Sequence, residues 1–269
     1  MIYFVEGIFG SGKTTYAREL YHSLIRCNPQ AVLYCEHSSS NEIDFTRKAY
    51  VDKNTLDYFR NKYMSLGEEI PIHDKCSSFD RSVQCFSDCI LLAYTEWMID
   101  RKEYYNLAVE ASQYEICSGK VSLSDYKRII INRWNEHFRA RKACDIEVYD
   151  GAFLQNIMID LIAYYAISLD EITAFYHELL FSLQEHQFSV HYIITSNVDS
   201  VLKRAASARS TGTENWLGAF ILWLKKSKYA LKNNPVDEET VSRFCDNLQN
   251  IQLELLHLLK CNCLFIKER

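Results

Sequence analysis

The chain has 269 residues, 48% of them hydrophobic, and a formal net charge of −5 from 35 acidic and 30 basic residues. That composition can bury a sizeable core and excludes wholesale disorder, while the acidic balance argues against a broad basic face, so nucleic acid is not an expected partner. No run reaches the roughly 18 apolar residues of a membrane span, so no membrane partner is expected either.

Ten cysteines with no secretory signal ahead of them predict reduced thiols in a cytoplasmic protein. Cys85-x-x-x-Cys89 and Cys261-x-Cys263 lack the paired spacing of a zinc site and read as buried small apolar residues. With three prolines, eight glycines and no linker-like stretch, the whole chain 1–269 is expected to form one body carrying an insertion.

In chain order, the apolar run Ile2-Tyr3-Phe4-Val5 predicts a strand, and Gly7-Ile-Phe-Gly-Ser-Gly-Lys-Thr14 follows it directly. This is the G-x-x-x-x-G-K-[ST] pattern, in the order strand, glycine-rich turn, helix that its chemistry needs. Gly7, Gly10 and Gly12 permit left-handed backbone, so that successive N–H groups turn inward on anionic oxygens. Lys13 supplies an ammonium for the β and γ phosphates, Thr14 a hydroxyl for Mg²⁺, and the following helix its positive end. The candidate nucleotide-binding set is Gly7, Gly10, Ser11, Gly12, Lys13, Thr14 and Thr15, with Phe9 and Ser11 the least constrained.

Apolar spacing predicts a helix over Thr15–Cys27, ended by Asn28-Pro29, and then a buried strand over Ala31–Cys35. The polar turn from Glu36 to Asn41 lies where parallel sheets present functional groups, beyond the carboxyl ends of their strands. Glu36 there is either a general base or a solvated turn residue. Asp44 binds acceptor groups or caps a following helix, and His37 reads as structural or surface.

From about 44 to 142 no strand pattern emerges. Helical periodicity over 79–99, 102–116 and 124–141 predicts a helical insertion at about 50–142, with Ser122-x-x-Asp125 starting the last helix. Its aromatics read mainly as core, with Tyr94, Trp97 and Trp134 as candidates to line an acceptor pocket.

A strand over Ile146–Tyr149 ends at Asp150-Gly151, either a plain turn or a strand-end carboxylate in the metal shell. The next residues, Gly151 to Asn156, are expected to shape an acceptor pocket. Helices over 155–167 and 170–186, a strand over Val190–Thr195, a helix over 238–259 and a strand over Cys263–Ile266 complete five strands. The expected class is α/β, a parallel five-stranded sheet flanked by helices with a helical insertion. Segment 199–218 reads as a lid whose Arg204 and Arg209 close over a triphosphate, or as solvated helix charges. Guanidinium forks make these two better phosphate clamps than Lys203.

Together, Gly7–Thr15, the Glu36 turn, Tyr149-Asp150-Gly151 and the Arg204/Arg209 segment resemble the small P-loop kinases, the group of nucleoside, nucleotide and antibiotic phosphotransferases. The run Asp150–Asn156, with Glu36 and Asn41–Asp44, looks more narrowly like bacterial proteins labelled only as ATP-binding or thymidylate-kinase-like. The resemblance covers the sheet-forming parts and scarcely touches 50–142. It implies a P-loop fold, Lys13 on phosphates, Thr14 on Mg²⁺, and Arg204 and Arg209 assisting transfer. The Asp-Arg pattern of nucleotide kinases is absent, since glycine follows Asp150, which points away from thymidylate as acceptor.

The expected function is an ATP-dependent small-molecule kinase, with Lys13, Glu36, Asp150, Arg204 and Arg209 as catalytic candidates and Thr14 and Asp150 on Mg²⁺. ATP is the co-substrate, and a nucleoside, nucleotide, antibiotic or similar metabolite is the acceptor, entering between the 36–44 turn, Asp150 and the insertion. A nucleotide-hydrolysing switch without an acceptor is the alternative, a polynucleotide-end kinase a third reading, and a homo-oligomer is compatible with all three.

Overall fold

The computed structural model describes residues 1–36, 41–66, 78–86, 89–100, 104–141, 146–210 and 215–268. In order the elements are β1 (Ile2–Gly7), α1 (Lys13–Ile25), β2 (Val32–Tyr34), β3 (Ala49–Val51), α2 (Lys53–Leu66) and α3 (Ser78–Ser82). Next come β4 (Val83–Cys85), β5 (Ile90–Leu92), α4 (Thr95–Asp100), α5 (Tyr105–Ala111), α6 (Leu123–Arg139) and β6 (Glu147–Asp150). The chain ends with α7 (Gln155–Asp160), α8 (Leu169–Phe181), β7 (Phe188–Ile194), α9 (Val198–Arg209), α10 (Trp216–Lys225), α11 (Lys228–Lys232), α12 (Glu238–Leu258) and β8 (Cys263–Lys267). It divides into a unit of Met1–Asp44 with Ile130–Arg269 and a second unit of Phe45–Ile129.

The first unit is α/β, built on a five-stranded, all-parallel sheet in the order β2-β6-β1-β7-β8, compatible with a P-loop-like fold. Alternation along β1 decides its two faces. Val5 packs with Ala17 and Leu20 of α1, and with Val148 and Ile193 on the neighbouring strands. On the opposite face Phe4 stacks on Trp134 and Phe153, with ring centroids 5.5 and 5.1 Å away. From β1 the chain runs outward to β2, returns to β6, then crosses to β7 and β8 on the other side, so the winding reverses at β1. Ligands of parallel sheets bind outside the carboxyl ends of strands at such a reversal, which here is where the 7–14 loop begins.

The second unit corrects the expectation of a helical insertion. It contains a three-stranded antiparallel sheet, β3-β5-β4, together with α2 to α5. The predicted helix over 79–99 is in fact α3, the β4–β5 hairpin and α4. Three-residue strands are too short to show a period of two, and the run Ile90-Leu91-Leu92 fits either period. The unit has its own core of Phe59, Tyr63, Phe79, Trp97 and Tyr104.

That core claims two of the proposed pocket aromatics. Trp97 is fully buried with its indole N–H on Ser82 Oγ at 2.8 Å, and the Tyr94 hydroxyl donates to Glu115. Trp134, equally buried, belongs to the Phe4 stack of the first unit, so neither tryptophan lines an open pocket. Asp44 caps no helix, because β3 is the element that follows it. Ser122 does start α6, its hydroxyl accepting the Asp125 N–H at 3.1 Å. Of the paired cysteines, only Cys89 is buried, whereas Cys85 is exposed and Cys261 and Cys263 are half-buried. His37 and residues 211–214 lie outside the described residues. Among the described residues no helix is long and apolar enough to cross a membrane.

Candidate functional site

The loop after β1 takes the backbone its glycines allow: φ is 145° at Gly7, 77° at Gly10 and 93° at Gly12. Gly10 also permits close approach, since a Cβ there would lie 2.7 Å from the Ala205 Cβ and 2.9 Å from the Val201 carbonyl, both on α9. Gly12 is the N-cap of α1. No side chain caps that helix end and no acidic residue of α1 occupies its first turn, so the first backbone N–H groups of α1 are left without a side-chain cap.

Lys13 is 4% exposed and its ammonium folds back beneath the loop, donating to the Ile8 carbonyl at 2.8 Å and to Gln155 Oε1 at 2.5 Å. Burial pulls its pKa down, Arg209 adds to that, and Glu36, Asp150 and Glu6 oppose it. Beside it the Thr14 hydroxyl donates to Asp150 Oδ2 at 2.6 Å. Asp150 is the last residue of β6 and is 1% exposed, and its other oxygen, Oδ1, is buried without a hydrogen-bond partner among the described residues. A desolvated carboxylate oxygen with no donor is costly unless something else supplies positive charge.

Glu36 stands just beyond β2, where Gln155 Nε2 donates to its Oε1 at 3.0 Å. Gly151, at φ 69°, completes this side: a Cβ there would sit 3.6 Å from Lys13 Cε and 3.9 Å from the Glu36 carboxyl carbon. The chain re-enters the described residues at Asn41, and the next residue, Glu42, meets His137 Nδ1 at 2.8 Å. That hydrogen bond is the largest of the effects holding the Glu42 carboxyl below its ordinary pKa.

One residue was not anticipated from the sequence, and another was expected only as part of a pocket-shaping run. Glu6 lies inside β1, fully buried, and its two oxygens accept the backbone N–H groups of Phe153 at 2.7 Å and Gln155 at 3.0 Å. Burial pushes its pKa up to about 7 against the lowering effect of those bonds and of Lys13. Gln155 opens α7 and bridges Lys13 to Glu36. The signal for Glu6 was visible as the one charge in a strand otherwise apolar. Gln155 lies in the run expected to shape an acceptor pocket, but its bridge from Lys13 to Glu36 carried no local signal.

The arginines sit on a regular helix, α9. Arg209 places its guanidinium 5.2 Å above the Trp216 ring and acts on Lys13 electrostatically. Arg204 is half-exposed, 4.0 Å from Glu268, and lines a cavity of about 270 Å³ with Gly10–Gly12, Thr15 and Tyr16 on one side and Ile266–Glu268 on the other. Ser11 borders the same cavity, and its hydroxyl is buried and unpartnered among the described residues. All the sequence-predicted site residues thus gather at the carboxyl edge of one sheet, Arg204 on the cavity side of the loop and Glu36 with Asp150 on the other.

Among the described residues no group of three or more His, Cys, Asp or Glu forms a self-sufficient metal site. A hard cation here would take Thr14 and Asp150 and draw its remaining ligands from phosphate and water, as Mg²⁺ commonly does. No protein-family model matches the chain. No curated protein matches it significantly in sequence.

Proposed function

We propose that the protein is an ATP-dependent kinase that transfers the γ-phosphoryl group of Mg·ATP to a hydroxyl or phosphate of a small acceptor. The observation that carries the reading is the Thr14–Asp150 pair at 2.6 Å with Asp150 Oδ1 left buried and unpartnered beside Lys13. The uncapped start of α1 and the Gly10–Gly12 backbone would receive the triphosphate, and the cavity toward Arg204 has room for the nucleoside. Mg²⁺, held by Thr14 and Asp150, would neutralise charge on the β and γ oxygens.

Lys13 would orient the γ-phosphoryl group, and Arg209, released from Trp216, would bear on charge developing there. Glu36 would accept the proton of an acceptor hydroxyl, which separates this reading from a hydrolytic switch, where no acceptor is needed. The test is transfer of labelled γ-phosphate, with Mg²⁺, to nucleosides, nucleotides, aminoglycosides and other hydroxylated metabolites, with Lys13→Ala as control. Labelled product with one acceptor class, lost in the control, is expected. Phosphate release at the same rate with and without every acceptor would favour the switch.

A further inference from the structure

Gln155 stands between the two charges on which the proposed chemistry depends. Its amide oxygen accepts from the Lys13 ammonium at 2.5 Å and its amide nitrogen donates to Glu36 Oε1 at 3.0 Å. Only this orientation of the amide satisfies both partners, because an ammonium has no acceptor and a carboxylate no donor. The residue is fully buried, and its backbone is pinned in turn by Glu6, whose two carboxylate oxygens hold the Phe153 and Gln155 N–H groups.

Behind the amide, Lys13 and Glu36 come within reach of one another. Around Gly151 the Lys13 Cε and the Glu36 carboxyl carbon approach a single point to within 3.6 and 3.9 Å. Glu36 is also the strongest of the carboxylates that favour the charged form of Lys13. A direct ion pair in so buried a place would be tight, and it would withdraw the ammonium from phosphate and the carboxylate from an acceptor together.

We propose that Gln155, anchored by Glu6, is a positioning residue that holds Lys13 and Glu36 apart, each on one end of its amide, and so prevents their collapse into an ion pair. Lys13 stays available to phosphate and Glu36 to an acceptor hydroxyl. The inference rests on the kinase reading for the roles of those two residues, but its test needs only nucleotide binding.

The experiment is calorimetric titration of Mg·ATP into wild type, Gln155→Met, Glu36→Gln and the double variant, with thermal melts to verify folding. Gln155→Met should raise Kd about tenfold, the order expected when a charged group is held in a competing contact. The double variant, in which the side chain opposite Lys13 at position 36 carries no charge, should return to within about threefold of Glu36→Gln, a rescue that lost packing would not produce. Unchanged affinity in folded Gln155→Met overturns the proposal, as does a loss that persists undiminished in the double variant. Gln155→Glu, which keeps an acceptor for Lys13 but repels Glu36, covers the case in which the methionine variant fails to fold. It too should weaken binding, and wild-type affinity would count against the idea. Absence of Mg·ATP binding by wild type would instead sink the nucleotide reading, and this inference with it.

Discussion

A carboxylate inside a parallel strand is an expensive choice, and Glu6 shows what it achieves. Its two backbone acceptor bonds shape the turn from which Gln155 projects, yet burial keeps its pKa near 7 rather than 4.5. For an acid whose folded pKa is raised, the folded state binds more protons between the two values, so stability falls as pH rises from about 4.5 through 7. The full difference is about 3 kcal/mol at 1.36 kcal/mol per unit. Urea unfolding at pH 5 and pH 8 should therefore show a steeper loss for wild type than for Glu6→Gln; equal losses would mean that Glu6 does not titrate in that window. His191, held low by burial, works in the opposite sense, which is why the comparison is between variants. Asp150 belongs to the same scale. Asp150→Asn keeps an acceptor for Thr14 but removes the charge, so turnover in the transfer assay should fall by roughly 10²-fold or more, with Mg·ATP affinity reduced less. Unchanged turnover would return Asp150 to a purely structural role.

At the level of elements, the site depends on how closely α9 rides on the loop. Gly10 meets Ala205 and Val201 where a Cβ would overlap both, and its φ of 77° strains any other residue. Gly10→Ala should cost roughly 1–3 kcal/mol and should also weaken Mg·ATP binding, since either α9 or the loop must move. Denaturant unfolding and nucleotide titration of that one variant measure both effects, and a stability loss under about 0.5 kcal/mol would show that the helix yields freely. The helix itself is conventionally built: Asn197 caps it through the Ser200 N–H at 2.9 Å. Its arginines consequently approach the site from a fixed frame, Arg204 toward the cavity and Arg209 toward Lys13.

Across the whole molecule, each unit has buried packing of its own, including the Phe4 stack in the parallel-sheet unit and the Trp97 cluster in the other. Trp97 is fully buried among Phe59, Tyr63 and Phe79 and hydrogen-bonded through its indole, so Trp97→Ala should cost about 3–5 kcal/mol, read by urea unfolding. A cost near 1 kcal/mol would mean that the cluster repacks around the gap.

The sequence by itself determined what local pattern can carry. The apolar run, the glycine spacing and the Lys13-Thr14 pair specify strand, turn and helix within one contiguous stretch, and the alternation of apolar runs with helices specifies a parallel α/β sheet. The three short strands of the second unit were illegible, because three residues hold no usable period. Pairings across the chain were decided only by the tertiary structure. Thr14 meets Asp150 across 136 residues and Lys13 meets Gln155 across 142, separations at which no local propensity acts. Strand order, β6 between β2 and β1, brings Glu36, Asp150 and Gln155 to a single edge, and burial there turns Glu6 from a stray charge in a strand into the anchor of the site.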